Sequence, residues 1–285
     1  MVMRPIIARS LAASLLGTGL LSVLVVIARA APPAIGAVPF LAPEGRWFWL
    51  TATAVCLVGG LLFQLLDPVP QLAPATARRR GIRYDPVTEW PTGWVLPFLT
   101  LAVGALLLCA YHTELAGMAI ALLGFVALFL GQLARIALYS GEPRVRALAR
   151  VAHTVLVYGL AFAAFAMVYV HKLRSLYSAT ALFLFASIAF LQLTEGEDIQ
   201  LDRRILYAMT GGLVLAEATW VLNYWPATGW IGGAALLAVF HFLAGLLLAR
   251  SERTLSWRTA LEYGSTTALA LAVIVWGMLR TRGGL

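Results

Sequence analysis

Long apolar runs, separated by short segments rich in proline, glycine or charge, make up most of this chain. The runs are each roughly 20 residues long, the length that an α-helix needs to cross a hydrocarbon core of about 30 Å. They are continuously apolar and do not alternate, which favours helices over the strands of a β-barrel. The pattern therefore predicts an all-α, polytopic transmembrane helical bundle forming a single domain over residues 1–285. About nine spans are predicted, at 9–29, 47–66, 93–112, 115–139, 148–170, 176–193, 205–223, 230–249 and 257–279.

Composition supports a membrane protein. Of the 285 residues, 61% are hydrophobic and 12% are charged, and the mean hydropathy is +0.86, far from the balance of a soluble domain. The net charge of +8 is explained by membrane topology, so we expect no nucleic-acid partner. The segments between the runs are short, and no separate soluble domain is expected.

The distribution of Lys and Arg predicts the orientation, because positively charged loops stay on the cytoplasmic side. With the N-terminus inside, 15 of the 21 basic residues fall on inner segments. We therefore expect the N-terminus inside and the C-terminus outside. The first run follows a basic start and ends at an Ala-Arg-Ala sequence that resembles a cleavage site. Its length favours a retained helix, and cleavage would leave about eight spans.

Two charged segments lie on the predicted inner side. The first, between the second and third spans, carries a basic cluster that we expect to contact anionic lipid head groups. The alternative is a determinant of orientation with no specific ligand. The second, TEGEDIQLDRR at 194–204, is acidic but lacks the spacing of a calcium loop, and it is predicted to be a solvated loop. The members of the basic cluster are Arg78, Arg79, Arg80 and Arg83.

Glu217 is the main candidate for a ligand or proton site, because an ionisable residue within a span is costly and often functional. Trp220 and Tyr224 follow at helical spacing and offer hydrogen-bond donors. His241 lies in the next span on a face with Gly233 and Gly245, and this face is predicted to pack against protein. Contact between Glu217 and His241 would relay a proton or hold a polar ligand. The alternative is that each residue makes only structural hydrogen bonds.

The remaining polar residues within spans have lower priority. Glu262 and His153 lie near the predicted inner surface, where pairing or packing explains them, and Gln132 and Gln64 complete the set. Cys56 and Cys109 are both predicted to be buried small residues.

Motifs for catalysis are not found. The sequence has no P-loop, dinucleotide fingerprint, Gly-x-Ser-x-Gly elbow or His-Glu-x-x-His site. We therefore predict no catalytic residue, metal site or cofactor, and an enzyme is the less favoured class of protein. The segment LNYWP, followed by a Gly-rich span, resembles multi-pass bacterial membrane proteins, which implies no function.

The leading functional hypothesis is a polytopic protein of the bacterial inner membrane that acts by binding or scaffolding, as an accessory subunit of a larger membrane complex. Its partners would be membrane lipids and other membrane subunits. One alternative is a small secondary transporter or proton-coupled carrier with a Glu217/His241 site. The sequence similarity between the Trp-Pro segments at 90–94 and 225–230 supports this alternative, because inverted repeats are typical of transporters. A membrane-embedded enzyme acting on a lipid or isoprenoid is the third hypothesis.

Overall fold

A computed structural model describes residues 3–33, 43, 45–70, 92–140, 142–171, 175–197, 199–225, 229–251 and 253–283. These residues form nine α-helices and no strand, which confirms the predicted fold class. In chain order the helices are α1 (Met3–Ala30), α2 (Arg46–Leu65), α3 (Val95–Ala110), α4 (Glu114–Leu138), α5 (Pro143–His171), α6 (Ser175–Leu193), α7 (Leu201–Asn223), α8 (Gly229–Ser251) and α9 (Trp257–Gly283).

Eight of the described helices are long and apolar enough to cross a membrane, so the chain is a membrane protein. Helix α3 has only 16 residues and is shorter than its predicted span. It begins after a turn at Thr92–Trp94, and it ends because Tyr111 leaves the helical conformation. Helix α5, in contrast, starts five residues before its predicted span, since Pro143 is suited to the first position of a helix.

The described helices belong to two compact units. The first unit comprises Met1–Leu160 with Glu195–Leu201, and the second comprises Ala161–Thr194 with Asp202–Leu285. The division falls within α5 and within the segment that joins α6 to α7. The single domain and the orientation of the chain in the membrane stay predictions.

Helix α1 lies at the centre of the first unit, where it contacts α2, α3 and α4. Leu21 and Leu24 of this helix are fully buried. Glycines on the neighbouring helices allow the close approach: a methyl group at Gly124 of α4 would lie 2.6 Å from Leu21. Small residues at helix contacts drive packing in membranes, where the hydrophobic effect between helices is weak.

Helix α8 packs in the same manner in the second unit. A methyl group at Gly233 would lie 2.5 Å from the Cα atom of Ala166 on α5, and one at Gly245 would overlap the ring of Tyr263 on α9. The predicted packing of this α8 face against protein is thereby confirmed. Phe240 of α8 adds an aromatic contact, with its ring centroid 4.4 Å from that of Phe190 on α6.

Candidate functional site

A buried group of polar side chains gathers at one end of the helices of the first unit. It consists of Asp67 just after α2, Thr92 just before α3, Arg135 and Tyr139 at the end of α4, and Glu195 just after α6. We call these five residues the ionic cluster. The Arg135 side chain is 4% exposed, and those of Asp67 and Glu195 are fully buried. Buried charges of this kind need partners, because desolvation otherwise costs several kcal/mol.

Arg135 joins the members of the cluster through all three of its guanidinium nitrogens. One terminal nitrogen lies 2.7 Å from Oδ1 of Asp67, and Nε donates to Oε1 of Glu195 at 3.2 Å. The other terminal nitrogen donates to the Thr92 hydroxyl at 3.2 Å. A planar guanidinium with five donors in a fixed arrangement suits this role better than an ammonium group would.

Glu195 accepts hydrogen bonds at both of its carboxylate oxygens. Its Oε1 atom accepts from the Tyr139 hydroxyl at 2.9 Å as well as from Arg135, and its Oε2 atom accepts from the Thr92 hydroxyl at 2.8 Å. Arg135 lies in the last turn of α4 and Tyr139 directly follows that helix, so the end of α4 presents both donors. Donors from the chain occupy both oxygens of this carboxylate, which leaves neither oxygen free to act as a general base.

Backbone atoms pack closely against the Asp67 side chain. Its Oδ1 atom accepts a hydrogen bond from the backbone N–H of Val69 at 3.1 Å, which is the Asx-turn geometry expected where a helix ends before proline. The other oxygen, Oδ2, is buried and has no hydrogen-bond partner within the described residues. A methyl group at Gly93 would lie 2.6 Å from this oxygen, so a glycine is needed where the start of α3 passes Asp67.

A second ion pair lies beside the cluster. Arg150 of α5 donates to the backbone carbonyl of Glu195 at 2.6 Å and pairs with Glu197 at 2.6 Å. Both side chains of this pair are 28% exposed, unlike those of the cluster. Gly196, between the two glutamates, has a φ of +73°, a left-handed conformation that glycine adopts without strain. This turn directs Glu195 into the unit while Glu197 stays near its surface.

The cluster borders a tightly packed region. The space between Leu96, Leu128, Gln132 and Arg135 leaves no room for a water molecule. Along this side, the cluster therefore has no water path into the first unit. The arrangement is suited to fixing the ends of α2, α3 and α4 to the segment at Glu195.

Glu217, the main predicted site residue, lies elsewhere, on the exposed side of α7 in the second unit. Trp220 and Tyr224 share this exposure, with 48% and 89% of their surfaces accessible. Within the described part of the chain, the Glu217 carboxylate has no hydrogen bond or ion pair, including with His241. His241 is half-buried, and its ring lies 5.7 Å from that of Tyr263. The structure therefore does not bring the two predicted residues together.

The other predicted residues are scattered. Glu262 is exposed on α9, and Gln64 is half-buried on α2. His153 is fully buried and Gln132 is 5% exposed. Cys56 and Cys109 are buried free thiols, as predicted. The basic cluster at Arg78, Arg79, Arg80 and Arg83 lies outside the described residues, as do residues 90–91 and 226–228 of the two Trp-Pro segments.

The prediction of a solvated acidic loop at 194–204 is wrong for Glu195. This residue is fully buried because Arg135, Tyr139 and Thr92 supply donors that replace water. Sequence reasoning treated Arg135 only as a basic residue that flanks a span. A signal was nevertheless present: Arg135 falls inside the predicted span 115–139, and an arginine within a span requires a counter-charge at the same depth.

Comparison with known proteins identifies a family. Residues 12–277 match DUF5656, described as a protein of unknown function, so the chain belongs to this family. No curated protein and no solved structure matches the chain. The matched residues run from α1 to α9 and therefore include both the ionic cluster and Glu217.

Proposed function

We propose that this member of the DUF5656 family is a multi-pass protein of the bacterial inner membrane that acts by binding another membrane protein, as an accessory subunit of a larger complex. The observation that carries the proposal is the position of Glu217 on the exposed side of α7. An ionisable side chain that faces lipid near the middle of a span costs about 2.5–3.5 kcal/mol on insertion scales. A partner that covers Glu217 would remove this cost.

The depth of Glu217 supports this argument. Asp202 and Arg203 occupy the start of α7, and Tyr224 follows its last residue. At 1.5 Å per residue, Glu217 lies about 21 Å from Arg203 and about 10 Å from Tyr224 along the helix axis. A glutamate side chain is too short to reach the water interface across either distance. Its carboxyl group therefore needs a hydrogen-bond donor from another molecule.

The surroundings of Glu217 indicate what kind of partner fits. Val221 is 74% exposed and Leu213 is 54% exposed, so the carboxylate is surrounded by apolar surface. Trp220 and Tyr224 add large aromatic surfaces of the type that anchors protein interfaces. The matching partner is a transmembrane helix with an apolar face and one hydrogen-bond donor or basic side chain at the depth of Glu217. Interhelical hydrogen bonds of this kind favour helix association in lipid.

The carrier hypothesis draws less support from the same geometry. A proton-coupled site formed by Glu217 and His241 would need the two side chains to share a water-accessible position. The exposed carboxylate and the half-buried imidazole beside Tyr263 do not form such a pair. Binding at the surface of α7 uses Glu217 where it lies.

Site-specific photo-crosslinking in membranes of the native host tests the proposal. A photoreactive residue at Val221 of α7 should give one discrete protein adduct. The same residue at Leu122, an equally membrane-facing position on α4 with 64% exposure, should give none. Glu217→Leu should abolish the adduct, because the donor of the partner loses its acceptor. Glu262→Leu, which removes another exposed carboxylate on α9, should leave the adduct unchanged.

Two results would contradict the proposal. The first is that Val221 and Leu122 both crosslink only to lipid. The second is that the Val221 adduct persists at its original yield in the Glu217→Leu variant, since the carboxylate would then play no part in binding. Mass spectrometry of the adduct identifies the partner helix and shows whether it carries the expected donor.

A further inference from the structure

A groove runs between α8 and α9 in the second unit. Its walls include Trp230 and Ile231 of α8 and Val273 and Ile274 of α9, and its volume is about 390 Å³. This volume falls in the range of small-molecule sites. Ala234 and Gly277 also line the groove, and their small side chains leave the space open. A methyl group at Gly277 would meet nothing within 4 Å.

A cationic group lies one turn beyond the groove. Arg280 follows Gly277 by three residues and so lies on the same side of α9, about 4.5 Å further along the axis. Its guanidinium carbon is 4.5 Å from the ring centroid of Trp276. Stacking on an aromatic face fixes the plane of a guanidinium while its N–H edge stays free to bind an anion. Within the described residues, no carboxylate pairs with Arg280.

We infer that this groove binds one anionic phospholipid, with an acyl chain between α8 and α9 and the phosphate at Arg280. The apolar walls match a hydrocarbon chain, and the guanidinium matches a phosphate in both charge and geometry. The site is independent of the proposed binding surface at Glu217.

The stacked arginine distinguishes this groove from the rest of the lipid-facing surface. Arg29, a basic residue at the matching predicted end of α1, already pairs with Glu114 at 3.4 Å. Its charge is therefore partly compensated within the protein. Arg280 has no such partner in the described chain, so a lipid phosphate is the group that would complete it. This difference predicts a preference for anionic over zwitterionic lipid at one position only.

Native mass spectrometry of the full-length protein tests the inference, with phosphatidylglycerol and phosphatidylcholine of identical acyl chains added separately to a mild detergent. The unaltered protein should retain one phosphatidylglycerol molecule at a concentration about tenfold lower than that needed for phosphatidylcholine, because both lipids carry a phosphodiester but only phosphatidylcholine adds a cation that repels Arg280. Arg280→Gln should remove this preference. Gly277→Leu should remove the bound lipid itself, because the added side chain fills the groove.

Matched variants serve as controls. Gly19→Leu places the same side chain at another open glycine, where a methyl group also meets nothing within 4 Å. Arg29→Gln removes a basic residue whose charge is already paired. Neither should change lipid retention, and the melting temperature in detergent should show that each variant is folded. Equal retention of both lipids by the unaltered protein would overturn the inference. So would an undiminished phosphatidylglycerol adduct in folded Gly277→Leu.

Discussion

The ionic cluster of the first unit and Glu217 of the second unit differ in how their acidic side chains are buried and hydrogen-bonded. Glu195 is fully buried, and both of its carboxylate oxygens accept hydrogen bonds from the chain itself. Glu217 is exposed, and the described residues offer its carboxylate no partner. The chain supplies hydrogen-bond donors to the first carboxylate, whereas the second is exposed to whatever surrounds the protein. The buried carboxylate therefore has donors from the chain on both oxygens, and the exposed one has none among the described residues.

The largest expected effect comes from removing the centre of the cluster. Arg135→Leu would leave Asp67 and Glu195 buried without their counter-charge, and we expect it to lower the free energy of unfolding by about 3–5 kcal/mol. SDS titration of the detergent-solubilised protein, followed by Trp fluorescence, measures this change. The exposed pair gives the matched control: Arg29→Leu should cost no more than about 1 kcal/mol.

A second variant sharpens the test of the cluster. Adding Glu195→Gln to Arg135→Leu removes one orphaned carboxylate, so the double variant should be more stable than Arg135→Leu alone. Buried ion pairs are replaceable by neutral groups more easily than they are broken. A cost below about 1 kcal/mol for Arg135→Leu alone would show that the cluster does not fix the first unit.

An intermediate effect is expected at Thr92. Its hydroxyl accepts from Arg135 and donates to Glu195, and valine has a similar shape without these bonds. Thr92→Val should cost about 1–3 kcal/mol, the usual penalty for leaving buried polar partners unsatisfied. Thr100→Val in α3 is the comparison, since the Thr100 hydroxyl bonds only the Leu96 carbonyl of its own helix. The same titration compares both variants, and equal costs would contradict a bridging role for Thr92.

The smallest effect on stability is expected at Glu217. Glu217→Leu replaces an exposed carboxylate with a side chain that lipid solvates well, so the isolated protein should unfold at an unchanged or slightly higher SDS concentration. The same substitution is expected to abolish the crosslink at Val221. Destabilisation by more than about 1 kcal/mol would indicate that Glu217 has an internal structural role, and it would remove the contrast with the ionic cluster.

Sequence reasoning was most successful for the helices and least successful for the cluster. The spans follow from apolar length, which the bilayer imposes locally on each segment, so all nine helices overlap their predicted ranges. The cluster depends on residues far apart in the chain: Thr92 and Glu195 are separated by 103 positions. Which carboxylate meets Arg135 depends on how the helices pack, and hydropathy carries no information about that choice.

The exposure of Glu217 could not be predicted for a related reason. Its helical neighbours Trp220 and Tyr224 are compatible with an internal site or with a surface, because aromatic residues serve both. The packing of α8 was more accessible to sequence reasoning. Its glycines at 233 and 245 indicate close approach of a neighbouring helix because they have no side chain, and the structure has close helix contacts at both.

The order of synthesis determines when the Glu195–Leu201 segment can join the first unit. This segment belongs to the first unit, yet α6, a helix of the second unit, is synthesised before it. Arg135 precedes Glu195 by 60 positions, which corresponds to about 3–12 s of translation at 5–20 residues per second. During insertion, Arg135 therefore has only Asp67 as an acidic cluster partner. The first unit is completed only when the second has begun to enter the membrane, so the biogenesis of the two units is interleaved.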